Sequence, residues 1–245
     1  MELTYLITFL VTFIACLLSG IAGGGAGYIM APYWLIIGMN PAQSATTGGF
    51  AATGMGISSL WAFRQADQYP KNKKLTIGLT IITIITSILG ALVLTRIDTD
   101  SFKNILAIIT LLSIPLLFID RRKIKLSKGH QRIGIVSLVL LFFANSVIAS
   151  SAFSVFIAVG LSQLFNLSII ESTALRRLIG LVQSTIIFSI LAWQGNFIVF
   201  QAIAGILGAS IGCYFGTRFA IRKGEDFARY ALAFGAFVGA VVLIW

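Results

Sequence analysis

Apolar stretches of membrane-crossing length fill most of the chain, and charged residues mark their ends. Leu3–Ala22 is one such run and Gln43–Phe63 a second. Leu75–Thr95 lies between Lys74 and Arg96, and Asn104–Ile119 between Lys103 and Asp120. Two uncharged stretches are longer: Ile133–Ile170 has 38 residues, and Leu178–Thr217 has 40, with Trp193-Gln194-Gly195-Asn196 as a turn near its middle. Tyr230–Trp245 is the last run. A helix crossing a hydrocarbon core needs about 20 residues. The 40-residue stretch is therefore a helical hairpin, while the 38-residue stretch is too long for one crossing and slightly short for two.

Charge placement chooses between the counts. Lys and Arg occur at Arg64 with Lys71, Lys73 and Lys74; at Arg96 and Lys103; from Arg121 to Arg132; at Arg176 and Arg177; and from Arg218 to Arg229. Eight alternating helices divide these cations almost evenly, ten against eight, which conflicts with the cytoplasmic bias of basic loops. Treating Ala26–Met39 and Ala152–Phe165 as extra short elements, with the amino terminus outside, puts sixteen of the eighteen inside. At about 1.5 Å per residue, a 14-residue helix reaches only about 21 Å. These two elements are thus expected to be half-helices or broken helices shielded by protein or lining a cavity. The expected fold is an all-α integral membrane protein with eight full-length helices plus two short elements, about ten crossings, and both termini outside the cell inner (plasma) membrane. Met1-Glu2-Leu3-Thr4 lacks the cationic stretch of a cleaved signal peptide and reads as the start of the first helix.

Composition agrees with the pattern. Of the 245 residues 58% are hydrophobic and 11% charged, with a mean hydropathy of +0.96, against roughly 25% charged in average soluble domains. The net charge of +10 sits in the loop clusters rather than on one patch, which excludes nucleic acid as a partner. His130 is the only histidine, which argues against Ser-His catalysis and histidine metal sites. The chain is therefore not expected to be an enzyme or to carry a cofactor. Cys16 and Cys213 lie inside apolar runs, away from any disulfide framework.

Residues 20–64 and 147–191 overlay at a constant offset of 127. Gly23-Gly24-Gly25 falls on Ser150-Ser151-Ala152, and Thr46 on Thr173. Small residues thus precede the short element in each half. With five elements per half, the halves, 1–126 and 127–245, are expected to be inverted repeats, an arrangement that puts a substrate site near the midplane.

The stretch Ser19–Gly27 carries five glycines in eight positions. Each costs roughly 1 kcal/mol in a helix relative to alanine. Single glycines such as Gly20 and Gly54 read as close helix packing, but Gly23, Gly24 and Gly25 before a short helix read as a turn exposing N–H groups to an anion. Ser150 and Ser151 add hydroxyls at the matching place. Gln43, Thr46, Asn145 and Gln183 are polar candidates within the spans, and Arg176 and Arg177 are cations that either face the substrate path or snorkel to the surface. None of the eight acids is central in a span, which argues against a cation or proton relay.

The order Gly20-x-x-Gly23-Gly24-Gly25-x-Gly27, Pro32, then Pro41-Ala42-x-x-Ala45-Thr46-Thr47 resembles the first signature of the sulfite exporter (TauE/SafE) family of membrane permeases. Ser58-x-x-Trp61-x-Phe63-Arg64-x-x-Asp67 is similar to the end of that block. Size and hydropathy match along essentially the whole chain. The second half departs, with Ser150-Ser151-Ala152-Phe153 in place of a glycine cluster and no proline after it. The resemblance implies export of a small sulfur-containing oxyanion, such as sulfite or an organosulfonate. Its alternatives are another small solute (an amino acid or carboxylate), or a non-transporting membrane assembly subunit. Expected partners are the small anion, the lipid bilayer and a second copy of the chain as a homodimer.

Overall fold

The computed structural model describes residues 2–70, 72–102, 104–105, 108, 128–148 and 153–223. These residues include eight helices: α1 (Glu2–Ala22), α2 (Gly27–Ile36), α3 (Pro41–Gln65), α4 (Lys73–Leu94), α5 (Lys128–Ile148), α6 (Ser154–Phe165), α7 (Ile169–Trp193) and α8 (Val199–Lys223). Among the described residues there is no strand. Beyond Asp98, whose carboxylate accepts the Ser101 N–H at 2.8 Å, helix resumes at Thr99 and passes out of the described residues. The expected spans Asn104–Ile119 and Tyr230–Trp245 fall largely or wholly outside them.

Local chemistry sets the boundaries. α1 ends where Gly23 and Gly25 take φ of 76° and 94°, a left-handed backbone that disfavours any side chain. α2 contains Pro32, which cannot donate to the preceding turn, and stops before Gly38 at φ 89°. Asn40 opens α3 with a capping box: its side chain accepts the Gln43 N–H at 2.9 Å and the Gln43 side chain accepts the Asn40 N–H at 3.1 Å. Ser168 and Glu171 repeat that reciprocal arrangement at α7. Each box satisfies two backbone donors that would otherwise be orphaned. The short elements expected at 26–39 and 152–165 are the 10-residue α2 and the 12-residue α6.

Four helices, Glu2–Ala22, Lys73–Leu94, Ile170–Trp193 and Val199–Lys223, are long and apolar enough to cross a membrane. Their outward faces carry large aliphatic and aromatic residues, including Leu6, Leu10, Ile81, Ile85, Ile203 and Ile211. Their inward faces carry Thr8, Thr12, Ala15 and Ser19 on α1, and Gly208 and Gly212 on α8. Such an inside-out distribution suits a chain whose solvent is hydrocarbon. α3 is as long as α7, but its face is buried along nearly its whole length and rich in Ala, Gly, Ser and Thr. It needs little hydropathy because it meets protein rather than lipid.

Directions follow from contacts. Phe9, Phe13 and Leu17 lie against Gly208, Gly212 and Gly216 in that order, so α1 and α8 run parallel. Gly49 meets Ser184 and Phe188, whereas Gly56 meets Leu181, so α3 and α7 run antiparallel. α2 turns back along α1, with Met30 on Cys16 and Tyr33 on Thr8. Shifted by 127 residues, the starts of α1, α2, α3 and α4 fall within one residue of those of α5, α6, α7 and α8. Packing follows the same exchange: α1 on α8 and α5 on α4, α3 on α8 and α7 on α4, α2 on α3 and α6 on α7.

Candidate functional site

The antiparallel crossing of α3 and α7 leaves a cavity of ≈ 50 Å³, lined from α3 by Gly49, Ala52, Met55 and Gly56 and from α7 by Arg176, Arg177, Gly180, Leu181, Gln183, Ser184 and Ile187, with Asn145 from α5. A single water needs about 10–15 Å³, so the space admits a small polyatomic solute. Spacing explains the lining. Arg176, Gly180, Gln183, Ser184 and Ile187 follow the i, i+4, i+7, i+8, i+11 positions of one helical face. Gly49, Ala52 and Gly56 face them with almost no side-chain volume, and this opens the void.

The two arginines do not snorkel. Arg176 is 5% and Arg177 2% exposed. Arg177 Nη2 donates to the Ser19 carbonyl at 2.6 Å and to Ser19 Oγ at 3.1 Å, fixing α7 to the last turn of α1. Its Nε and Nη1 are buried without a partner among the described residues, so three of its five N–H donors are unused there. Among the described residues no carboxylate lines the cavity. Two adjacent buried cations of this kind cost several kcal/mol each unless an anion neutralises them.

Asn145 and Gln183 form part of the same wall. Asn145 Nδ2 donates to Gln183 Oε1 at 2.9 Å, and Gln183 Nε2 donates to Ser146 Oγ at 2.6 Å; Asn145 Oδ1 is buried and unpartnered. The bond ties α5 to α7, and both residues line the cavity with the arginines. Substituting Gln183 with leucine orphans both partners. Thermal unfolding in detergent is expected to show a loss of about 1–3 kcal/mol.

The other sequence candidates lie elsewhere. Gly23 packs on Thr173, one turn before Arg177, where an added Cβ would be 3.0 Å from Thr173 Oγ1. Gly23, Gly24 and Gly25 are outside the lining of this cavity. After the break, the amides of Tyr28, Ile29 and Met30 are taken by the Gly25 and Ala26 carbonyls, so α2 begins with fewer free donors than its glycines suggest. Gln43 is engaged in the α3 cap, and the Thr46 hydroxyl donates to the Ala42 carbonyl at 2.6 Å. Ser150 and Ser151 lie outside the described residues. The sequence reading did not single out Ser19, Gly49, Ala52, Gly180 or Ser184. The small-residue run on one face of α3 was the available signal, but it looks the same as a packing surface until the opposing helix is known.

Among known proteins, the family model described as Sulfite exporter TauE/SafE matches residues 8–243. No curated protein and no solved structure gives a significant match.

Proposed function

The chain belongs to the sulfite exporter TauE/SafE family, a family of multi-pass membrane transporters, and from that membership and the chemistry of the buried cavity we propose that it is a permease exporting a small sulfur-containing oxyanion such as sulfite. The anion sits in the α3–α7 cavity against Arg176 and the unused donors of Arg177, with the amides of Asn145 and Gln183 beside it. The observation that carries this reading is the pair of buried guanidiniums facing a void that no carboxylate among the described residues lines. Arginine presents planar paired donors suited to an oxyanion. Because a centre of positive charge without acids neither stabilises a cation nor relays a proton, the cargo is an anion.

The proposed architecture is two inverted repeats, 1–126 and 127–245, making about ten crossings by alternating access, with both termini outside the inner membrane. The antiparallel α3 and α7 support this count. If only eight elements crossed, these two would be second and sixth and would run the same way; with ten they are third and eighth and oppose one another. The recurrence of helix starts at an offset of 127 supports the repeat. With the arginines thus at the cytoplasmic half, an inside-negative potential worth about 2.3 kcal/mol per charge per 100 mV drives the anion outward.

Flux of sulfite, thiosulfate, an alkylsulfonate and a small carboxylate from proteoliposomes under imposed potential tests the reading. Sulfite or sulfonate efflux that grows with inside-negative potential is expected. No flux of any of the four, or flux of the carboxylate alone, overturns it.

A further inference from the structure

We propose that a second cavity, between α2 and the amino-terminal half of α3, is a separate anion station at which the oxyanion is held by uncharged donors after leaving the arginines; this rests on the permease reading. The cavity measures ≈ 40 Å³, close to the first in size, and its wall includes Trp34, Ser44, Gly48 and Met55. Trp34 is 1% exposed, yet its indole Nε1 is buried without a partner among the described residues. That nitrogen is donor only, so its missing partner is an acceptor, and leaving it unmade in an apolar interior costs a desolvation penalty. Its position is held by packing. The far edge of the ring lies on Gly205, where an added Cβ would be 3.4 Å away, and the ring tilts on Tyr33 with centroids 5.0 Å apart. The nitrogen edge faces Gly48, whose absent Cβ would sit 3.3 Å from Nε1; any larger residue there narrows the space in front of the donor.

Ser44 adds a buried hydroxyl to the wall, and Ala26 and Gly27 bring the positive end of the α2 dipole to it. No acid lines it. Ala52 and Met55 line both cavities, so a methyl group and a flexible thioether are what the two spaces share. On α3 the first cavity reaches residues 49–56 and the second begins at residue 44. In the proposed orientation, the second therefore lies nearer the outside. An anion moving outward passes from a strongly cationic site to one made of neutral donors, from which release is easier.

The test uses the full chain in two forms. In the first, Trp61, Trp193 and Trp245 are replaced by phenylalanine, so that Trp34 alone of the four tryptophans reports, and sodium sulfite is titrated in. A saturable change in its emission is expected. In the second, Trp34→Phe removes the donor together with part of the ring that packs on Gly205. Sulfite efflux is expected to fall about tenfold, the worth of one hydrogen bond to a charged group, while sulfite still raises the melting temperature through the arginine cavity. Gly48→Ala, a smaller change, is expected to reduce efflux in the same direction and serves if Trp34→Phe does not fold. Unchanged efflux with a silent Trp34 means that water or nothing fills the space, and overturns the station. Loss of thermal stabilisation together with efflux in a folded Trp34→Phe variant means a single site, and also overturns it. A wild-type chain that neither transports nor is stabilised by sulfite removes the permease reading itself.

Discussion

Substituting Arg176 with glutamine is expected to reduce sulfite efflux 10- to 100-fold while leaving the protein at least as stable as the wild type. The two effects separate because the side chain lies at 5% exposure beside a second guanidinium, in a cavity without an acid. A buried charge that no partner neutralises opposes folding, so removing it does not destabilise the empty protein. The same charge supplies hydrogen bonds to the anion worth about 1.5–3 kcal/mol each, and a factor of ten corresponds to 1.4 kcal/mol. Proteoliposome flux and thermal unfolding with and without sulfite measure both. Wild-type protein should melt higher with sulfite and the variant should not. Destabilisation of the variant with retained efflux would assign Arg176 a structural role instead. Arg177 differs, because its Nη2 anchors Ser19 of α1.

The largest structural effect is expected at the α1–α8 seam. Gly208, Gly212 and Gly216 recur every four residues, and a Cβ at any of them falls on the carbonyl oxygen of Phe9, Phe13 or Leu17 respectively. The two backbones touch, which is how membrane helices associate when lipid offers no hydrophobic drive between them. Gly212→Leu must push α1 away along most of its length. It is expected to cost about 3 kcal/mol or more, read as a collapse of the monodisperse detergent-extracted fraction and a large drop in melting temperature. Gly78→Ala is the control. Nothing lies within 4 Å of an added Cβ there, and alanine favours the helix by up to about 1 kcal/mol, so stability should hold or rise.

Much of this was legible in one dimension. Pro41 after Asn40, with Gln43 three residues beyond the cap, is a helix start written in side-chain chemistry, and so is Ser168 with Glu171. The Trp193–Asn196 turn separates α7 from α8 where uncharged length alone demanded a break. The nearly even split of cations over eight helices singled out two short elements, and α2 and α6 occupy those places. The glycines at 23 and 25 do break the chain with positive φ. They read most strongly as the ligand site; the first cavity is lined by other residues and the second begins at Ala26, just after them, while the carbonyls of Gly25 and Ala26 take three of the backbone donors that follow. Arg176 and Arg177 carried equal arguments for surface and interior. Helix α7 starts at Ile169, before the uncharged run that marked it in the sequence, and carries both arginines two turns inward.

Hydrophobicity, charge and capping are properties of residues and their near neighbours, so the amino-acid order by itself determined membrane residence, the helix boundaries and the absence of acids from the centres of the spans. Which small residues leave a void and which close a seam is a property of the facing helix. Gly49 and Gly56 meet Ser184, Phe188 and Leu181 beside the cavity they line with Arg176 and Gln183, whereas Gly208 and Gly212 lie against the backbone of α1. That difference appeared only when α3 crossed α7 and α1 lay along α8, because packing is decided by partners hundreds of bonds away along the chain.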